Sequence, residues 1–202
     1  MADAGVHASS SESTSRSLLA RVRKRDGGAW SRFAAIYTPL VYAWARRAGL
    51  QETDAADVAQ DVFRTVLGKL DDFQRDGRNS RFRGWLWAIT RNRVRLFYRQ
   101  AAQRAAAAGG SSAQAEMNRV PAMLESDDEP SSDVESRAVV RRALESIRGD
   151  FSPATWNAFW RVAIDDRPAG EVAQELQLSA QAVRQAKYRV LCRLRDELEG
   201  LG

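Results

Sequence analysis

One cysteine and one histidine, Cys192 and His7, are all that the 202 residues provide. A disulfide needs two thiols and a thiolate metal cluster needs more, so neither is available. His7 sits in a polar tail, which leaves no imidazole for a zinc site or a Ser-His-Asp relay. No GxxxxGK[ST] loop occurs, so any work on a partner would be driven by binding rather than by nucleotide hydrolysis. No apolar run approaches the roughly 18 residues of a membrane span. The opening MADAGVHASSSESTSRS lacks the apolar centre of a secretion signal. No segment alternates with the period of a strand. These absences predict an all-α protein that stays in the cytoplasm away from membranes, with no catalytic residue, no metal and no cofactor.

What is present is charge, and it is unevenly placed. The net charge is +5, with 31 Lys or Arg against 26 Asp or Glu. Residues 18–100 carry a net +9, residues 101–136 a net −5, and residues 137–202 a net +2. A basic front half and an acidic connector point to a polyanion as partner. Residues 1–16 are mostly Ser, Ala and Thr and are expected to be disordered. A helical domain follows over 17–103. Its stripes are Trp30, Phe33, Tyr37, Val41 and Trp44, then Val58, Val62, Val66 and Leu70, with Phe63 and Leu67 widening the second. Pro39 is expected to kink the first of these helices and Gly49 to end it. Residues 104–135 read as a flexible acidic linker. The last domain, 136–202, starts with a helix lined by Val140, Leu144 and Ile147. Ser152 and Pro153 then cap a helix with a Trp156, Phe159, Trp160, Ala163 stripe.

Three constellations in the first domain could carry chemistry. FRGWLWAITRNRVRLFYRQ, from Phe82, is a long helix inside an acid-free stretch: residues 77–115 hold eight arginines and no carboxylate. Trp87, Arg91 and Arg95 share one face, and Asn92, Arg93 and Arg99 add to the cationic surface. Trp85 reads as core. Guanidinium groups track phosphates, and rings stack on unpaired bases. Asp54, Asp57, Gln60 and Asp61 form an acidic stripe on the preceding helix, either a solvated face or a dock for a basic protein. The polar loop from Phe73 to Arg81, with Arg75, Arg78, Asn79 and Arg81, is either a plain turn or a pocket for a flipped base.

The C-terminal DRPAGEVAQELQLSAQAVRQAKYRVLCRLR (166–195) reads as a helix-turn-helix. Ala173 allows a close helix crossing, Gln177-Leu178-Ser179 is the break, and Ser179 caps the second helix. Val183 and Ala186 point inward. Ser179, Gln181, Arg184, Gln185, Lys187, Tyr188 and Arg189 are left outside, a set able to reach base edges and phosphates.

Taken in order, these segments resemble the extracytoplasmic-function sigma factors of bacterial RNA polymerase, in the sigma-70 family. DAADVAQDVFRTV (54–66) resembles region 2.2, FRGWLWAITRNRVRLFYR (82–99) regions 2.3 to 2.4, and the C-terminal unit region 4. The resemblance implies that Asp54, Asp57, Gln60, Asp61 and Phe63 contact the polymerase clamp. It implies that the 73–81 loop takes a flipped base of the −10 element while the Trp87–Arg99 face holds the opened strand. Residues 179–189 would read the −35 element as duplex, and the acidic linker would thread toward the RNA exit path. Core RNA polymerase and promoter DNA are the implied partners. Whether an anti-sigma factor or a regulatory kinase restrains the protein is left open. Two features depart from the family pattern: Gln177 stands where Gly is usual, and the segment before it is rich in Trp. The rival readings are a stand-alone helix-turn-helix regulator with a sensory N-terminal domain and, far less consistent with an all-helical chain, a recombinase.

Overall fold

Asp26 shows how local chemistry starts the fold. Its carboxylate accepts the Ala29 amide at 3.0 Å and closes the first turn of a 21-residue helix. That bond, aided by Arg21, holds the Asp26 carboxyl below the usual range, so the cap fails only when pH falls beneath that range. In the computed structural model, which describes residues 17–73, 82–107, 121–130 and 132–198, eight α-helices follow one another with no strand among the described residues. They are α1 (Leu18–Arg23), α2 (Gly27–Arg47), α3 (Glu52–Lys69), α4 (Phe82–Ala107), α5 (Asp133–Ile147), α6 (Pro153–Ala163), α7 (Ala169–Glu175) and α8 (Ala180–Leu198). Helix α2 runs through Pro39 without a break in its assignment.

Helix α2 ends where the sequence placed the stop. Gly49 has φ +86°, the Leu50 amide donates to Ala45 O and the Gly49 amide to Arg46 O. This is a Schellman closure, which requires a left-handed residue just past the helix. A side chain at Gly49 would also meet the Tyr98 hydroxyl at 3.1 Å, and that hydroxyl donates to Ala48 O at 2.6 Å. The α2–α3 turn is thereby fixed against α4.

Three apolar clusters form the interior. The largest takes Phe33, Tyr37, Trp44, Val62, Phe63, Val66, Phe82, Leu86 and Trp87 from α2, α3 and α4. It also takes in Leu124, Val139 and Ala143, which come from the connector and from α5. The second joins Leu144 and Ile147 to Trp156, Phe159 and Val190, and the third holds Val172, Ala173, Val183 and Ala186. Helix α5 therefore has two apolar faces, one toward each half of the chain. Ser132 and Glu135 form a complete capping box at its start.

Some expected core positions lie elsewhere. Leu67 is 46% exposed and Val140 is 39% exposed, because the α3 and α5 stripes turn away from them. Val139 and Ala143 take the place intended for Val140. Helix α4 extends to Ala107, into the Ala run assigned to the connector, since alanine is the best helix former. The tail 1–16, residues 74–81 and residues 108–120 lie outside the described residues.

Phe33 is fully buried and packs on Trp30, Tyr37, Phe63 and Phe82. Phe33→Ala should lower unfolding free energy by about 3–5 kcal/mol, read as a reduced midpoint in urea titration.

Candidate nucleic-acid interface

Helix α4 has cations on two sides, and the two sides are treated differently. On one, Asn92, Arg93 and Arg99 join Thr65 and Lys69 of α3 around a cavity of about 250 Å³. Arg93 is oriented by donating to Thr65 Oγ1 at 2.7 and 3.2 Å. Asn92 and Arg99 are exposed. No carboxylate pairs with Arg93 or Arg99 among the described residues. Hydrophobic Ile89 and Leu96 floor the groove. Such a surface can hold phosphates with its cations and a nucleotide's apolar face with its floor.

The other side of α4 is covered by the connector. Leu124 is fully buried in the N-terminal core, and residues 125–129 run on across the helix. Arg91 donates to Ser126 O at 2.7 Å and pairs with Asp127. Arg95 donates to Leu124 O, and Arg83 pairs with Glu129 while reaching Ser136 Oγ at 3.1 Å. Trp87 is fully buried, edge-on to Trp44 at 5.5 Å, with its ring N–H toward Ser126 O at 3.4 Å. Asp127 remains 91% exposed, so its ion pair is of the weak, salt-screened kind, about 0.2–1 kcal/mol.

Helix α3 presents the acidic stripe. Asp57 and Gln60 are exposed, Asp54 and Asp61 half-buried at the rim. Asp61 pairs with Arg64 at 2.6 Å, its neighbour one turn on. Phe63 does not belong to this surface. It is 7% exposed and meets Phe33 and Trp30 edge-on, because it falls on the same face as Val62 and Val66. Its expected part in a docking surface is corrected to a core residue beneath it.

The helix-turn-helix forms as its residues dictate. Ser179 Oγ accepts the Ala182 amide at 3.0 Å, and Val183 and Ala186 are buried at 0% and 2% exposure against Val172 and Ala173. Gln177 has φ 54°, with its amide donating to Gln174 O and that of Leu178 to Ala173 O. The turn is the same Schellman closure as at Gly49, made with a residue whose left-handed backbone is strained. Arg167 and Arg161 clamp Glu175, and the Arg167 hydrogen bond holds that carboxyl below its usual range. The clamp ties the α6–α7 corner shut. On α8, Gln181, Arg184, Gln185 and Arg189 are exposed, Tyr188 is 70% exposed and Lys187 half-buried, with Ser179 exposed at the start. No acid pairs with Arg184, Lys187 or Arg189 among the described residues.

Residues 33–104 match the sigma-70 region 2 family. The match covers region 2 alone, about a third of the chain. An 88-residue stretch is 35% identical to RNA polymerase sigma factor CnrH of Cupriavidus metallidurans. That alignment spans 44% of this chain and 44% of the relative, under half the length of each. A structure of CnrH in complex with the cytosolic domain of CnrY aligns over 89% of this chain and 94% of its own, at 26% identity and a TM-score of 0.37. No helix among the described residues is long and apolar enough to cross a membrane.

Within region 2, the cationic residues expected to share one surface are divided between two. Arg91 lies under the connector and Arg95 reaches it through Leu124 O while remaining exposed, whereas Asn92 and Arg99 stay open beside a half-buried Arg93. Trp87, expected to offer a ring to a base, is enclosed, so its surface role requires that the connector move. Trp85 packs on Phe73 and Phe82 at 5.0 and 5.5 Å, as core. Arg75, Arg78, Asn79 and Arg81 lie outside the described residues. Reasoning from sequence missed Thr65 and Lys69, which come from another helix. It also missed Arg83 and Arg47, which bind the connector and α5. The signal for the latter pair was the excess of acid in 125–135 facing an acid-free helix.

Gln177→Gly removes the left-handed strain at the turn and should stabilise the C-terminal unit by about 0.5–1 kcal/mol. Thermal denaturation followed by circular dichroism checks the sign, and a lowered midpoint would show that the Gln177 side chain makes up for its backbone.

Proposed function

We propose that this protein is a promoter-specificity subunit of the extracytoplasmic-function type, which recruits core RNA polymerase to promoter DNA and opens it. The observation that carries the reading is region 2, whose α4 arginines stand beside an α3 acidic stripe. Oppositely charged faces on adjacent helices suit two partners at once, DNA on one and a basic protein surface on the other. The relative with a named role, CnrH, is an RNA polymerase sigma factor, which supports the same assignment.

On this reading, Asp54, Asp57, Gln60 and Asp61 dock on the polymerase clamp. The loop containing Arg75, Arg78, Asn79 and Arg81, with Arg91, Asn92, Arg93, Arg95 and Arg99, takes the unpaired −10 strand. Melting is driven by capture of unstacked bases rather than by hydrolysis. Ser179, Gln181, Arg184, Gln185, Lys187, Tyr188 and Arg189 read the −35 element in the major groove. Residues 108–132, which lie between α4 and α5, fully extended reach roughly 80–90 Å. By their names the two elements are about 25 base pairs apart, or about 85 Å at about 3.4 Å per pair. The connector is therefore just long enough for both readers to engage together, and the second contact gains from being tethered to the first.

Co-purification with core polymerase followed by run-off transcription tests the whole reading. Absence of a complex at micromolar concentration would favour a stand-alone regulator instead. Arg91, Arg93 and Arg95 replaced together by Ala should reduce permanganate reactivity at the −10 element and flatten the salt dependence of binding. Arg184→Ala should relax sequence choice upstream, at about 1–3 kcal/mol for each bidentate pairing with a base that it removes. Selection from randomised promoters reads that choice, and an unaltered motif would overturn the role of Arg184.

A further inference from the structure

We infer that the connector segment 124–129 is a built-in competitor of single-stranded DNA, holding the isolated protein closed until a partner lifts it. The inference rests on the proposed DNA-binding role of α4. Three independent features support it: the chemistry of the occupant, the groups it covers and the packing of the two halves.

The occupant imitates the ligand. Segment 125–129, ESDDE, offers four carboxylates in five residues, in a chain otherwise rich in arginine. It lays the Ser126 carbonyl and two carboxylates on Arg83 and Arg91, and Leu124 O just before it accepts from Arg95, groups a phosphate backbone would use. It also closes over Trp87, the ring a base would need. Leu124 anchors one end in the core, and Arg47 grips Pro130 O and Glu135 at the other. Between these anchors Asp127 is 91% exposed, whereas Arg91 is 13% exposed and Arg83 and Glu129 are 16% each, so the Asp127 contact is the one that salt and a competing polyanion reach first.

The halves are docked in the same state. Val139 and Ala143 of α5 complete the N-terminal core. Glu197 of α8 is fully buried, 2.6 Å from Arg193 and 4.0 Å from Arg32 of α2, and Asp150 bridges the same two arginines at 2.9 and 3.5 Å. A packed body of this length has a radius of gyration of about 16–17 Å. Two elements about 85 Å apart cannot both be read from it, so engagement requires the seam to part. The seam is built to be parted. The Tyr37 hydroxyl and Trp44 ring N–H find no hydrogen-bond partner among the described residues. Burial raises the pKa of the Tyr37 hydroxyl, with Arg83 opposing and Glu129 of the connector and Glu197 of α8 adding to the rise, and Trp44 lies against Trp87 under the segment. Opening gives such groups water, which offsets part of the cost of exposing apolar surface.

The test uses the full chain without polymerase, a fluorescein-labelled 20-nucleotide single-stranded DNA, and hydrogen exchange over residues 121–132. E125Q, D127N, D128N and E129Q combined should speed exchange there and tighten DNA binding about tenfold, the gain expected if nine-tenths of the parent is closed. Its affinity should also fall more steeply with salt than the parent's, because salt opens the parent while weakening its grip on DNA. Leu124→Ser, which changes no charge, should give the same gain, and this separates release from a general loss of negative potential. Faster exchange with DNA affinity equal to the parent's overturns the competition. Unchanged exchange in both variants overturns the closure. Faster exchange with no DNA binding by any of the three proteins overturns the DNA-face reading itself.

Discussion

A row of guanidinium groups on one helix face has to be given anions, and most of what is distinctive in this molecule follows from how α4 meets that demand. Arginine cannot shed its proton and is poorly served by an apolar neighbour. Folded without a partner, the chain satisfies Arg83, Arg91 and Arg95 from its own connector. Asp127 is open to water and the Arg83–Glu129 pair is only partly buried, and contacts short of full burial keep the arrangement reversible. A buried pair would have cost more to form and far more to break.

The same logic separates the two cationic sides of α4. Arg93 is oriented by a neutral hydroxyl, that of Thr65, which positions the guanidinium without neutralising its charge. Arg91 is met by a carboxylate, which does neutralise it. One side stays available at all times and the other only on release. On the proposed function this ordering lets a weak first contact form on the open groove before the enclosed face, with Trp87, becomes accessible.

Helix α5 ties the two halves together because it is apolar on two sides. Val139 and Ala143 complete one core while Leu144 and Ile147 complete another. A helix so placed stabilises both units while they touch and exposes one stripe when they part. The buried Glu197, shared by Arg193 of its own helix and Arg32 of α2, gives that contact a polar, directional component. The helix-turn-helix has a core of its own, Val172, Ala173, Val183 and Ala186, that owes nothing to the seam, so its reading face is formed in either state.

Much of this was legible from residue order. Period and capping residues specify helices whatever they pack against, so the stripes of α2, α3 and α6, the stop at Gly49 and the caps at Ser152 and Ser179 followed from local chemistry. Leu67 and Val140 were placed on the wrong sides because neighbouring positions on a helix differ by about 100° and only the packed partner decides which is covered. The charge segregation was equally visible: an acid-free helix and an acid-rich connector. That the second would lie across the first was not, because charge counting gives attraction but not register. Residue order thus specified the helices and the chemistry of each face. Which faces meet was settled only in three dimensions, since Leu124 finds its pocket only after α2 and α4 have been brought together.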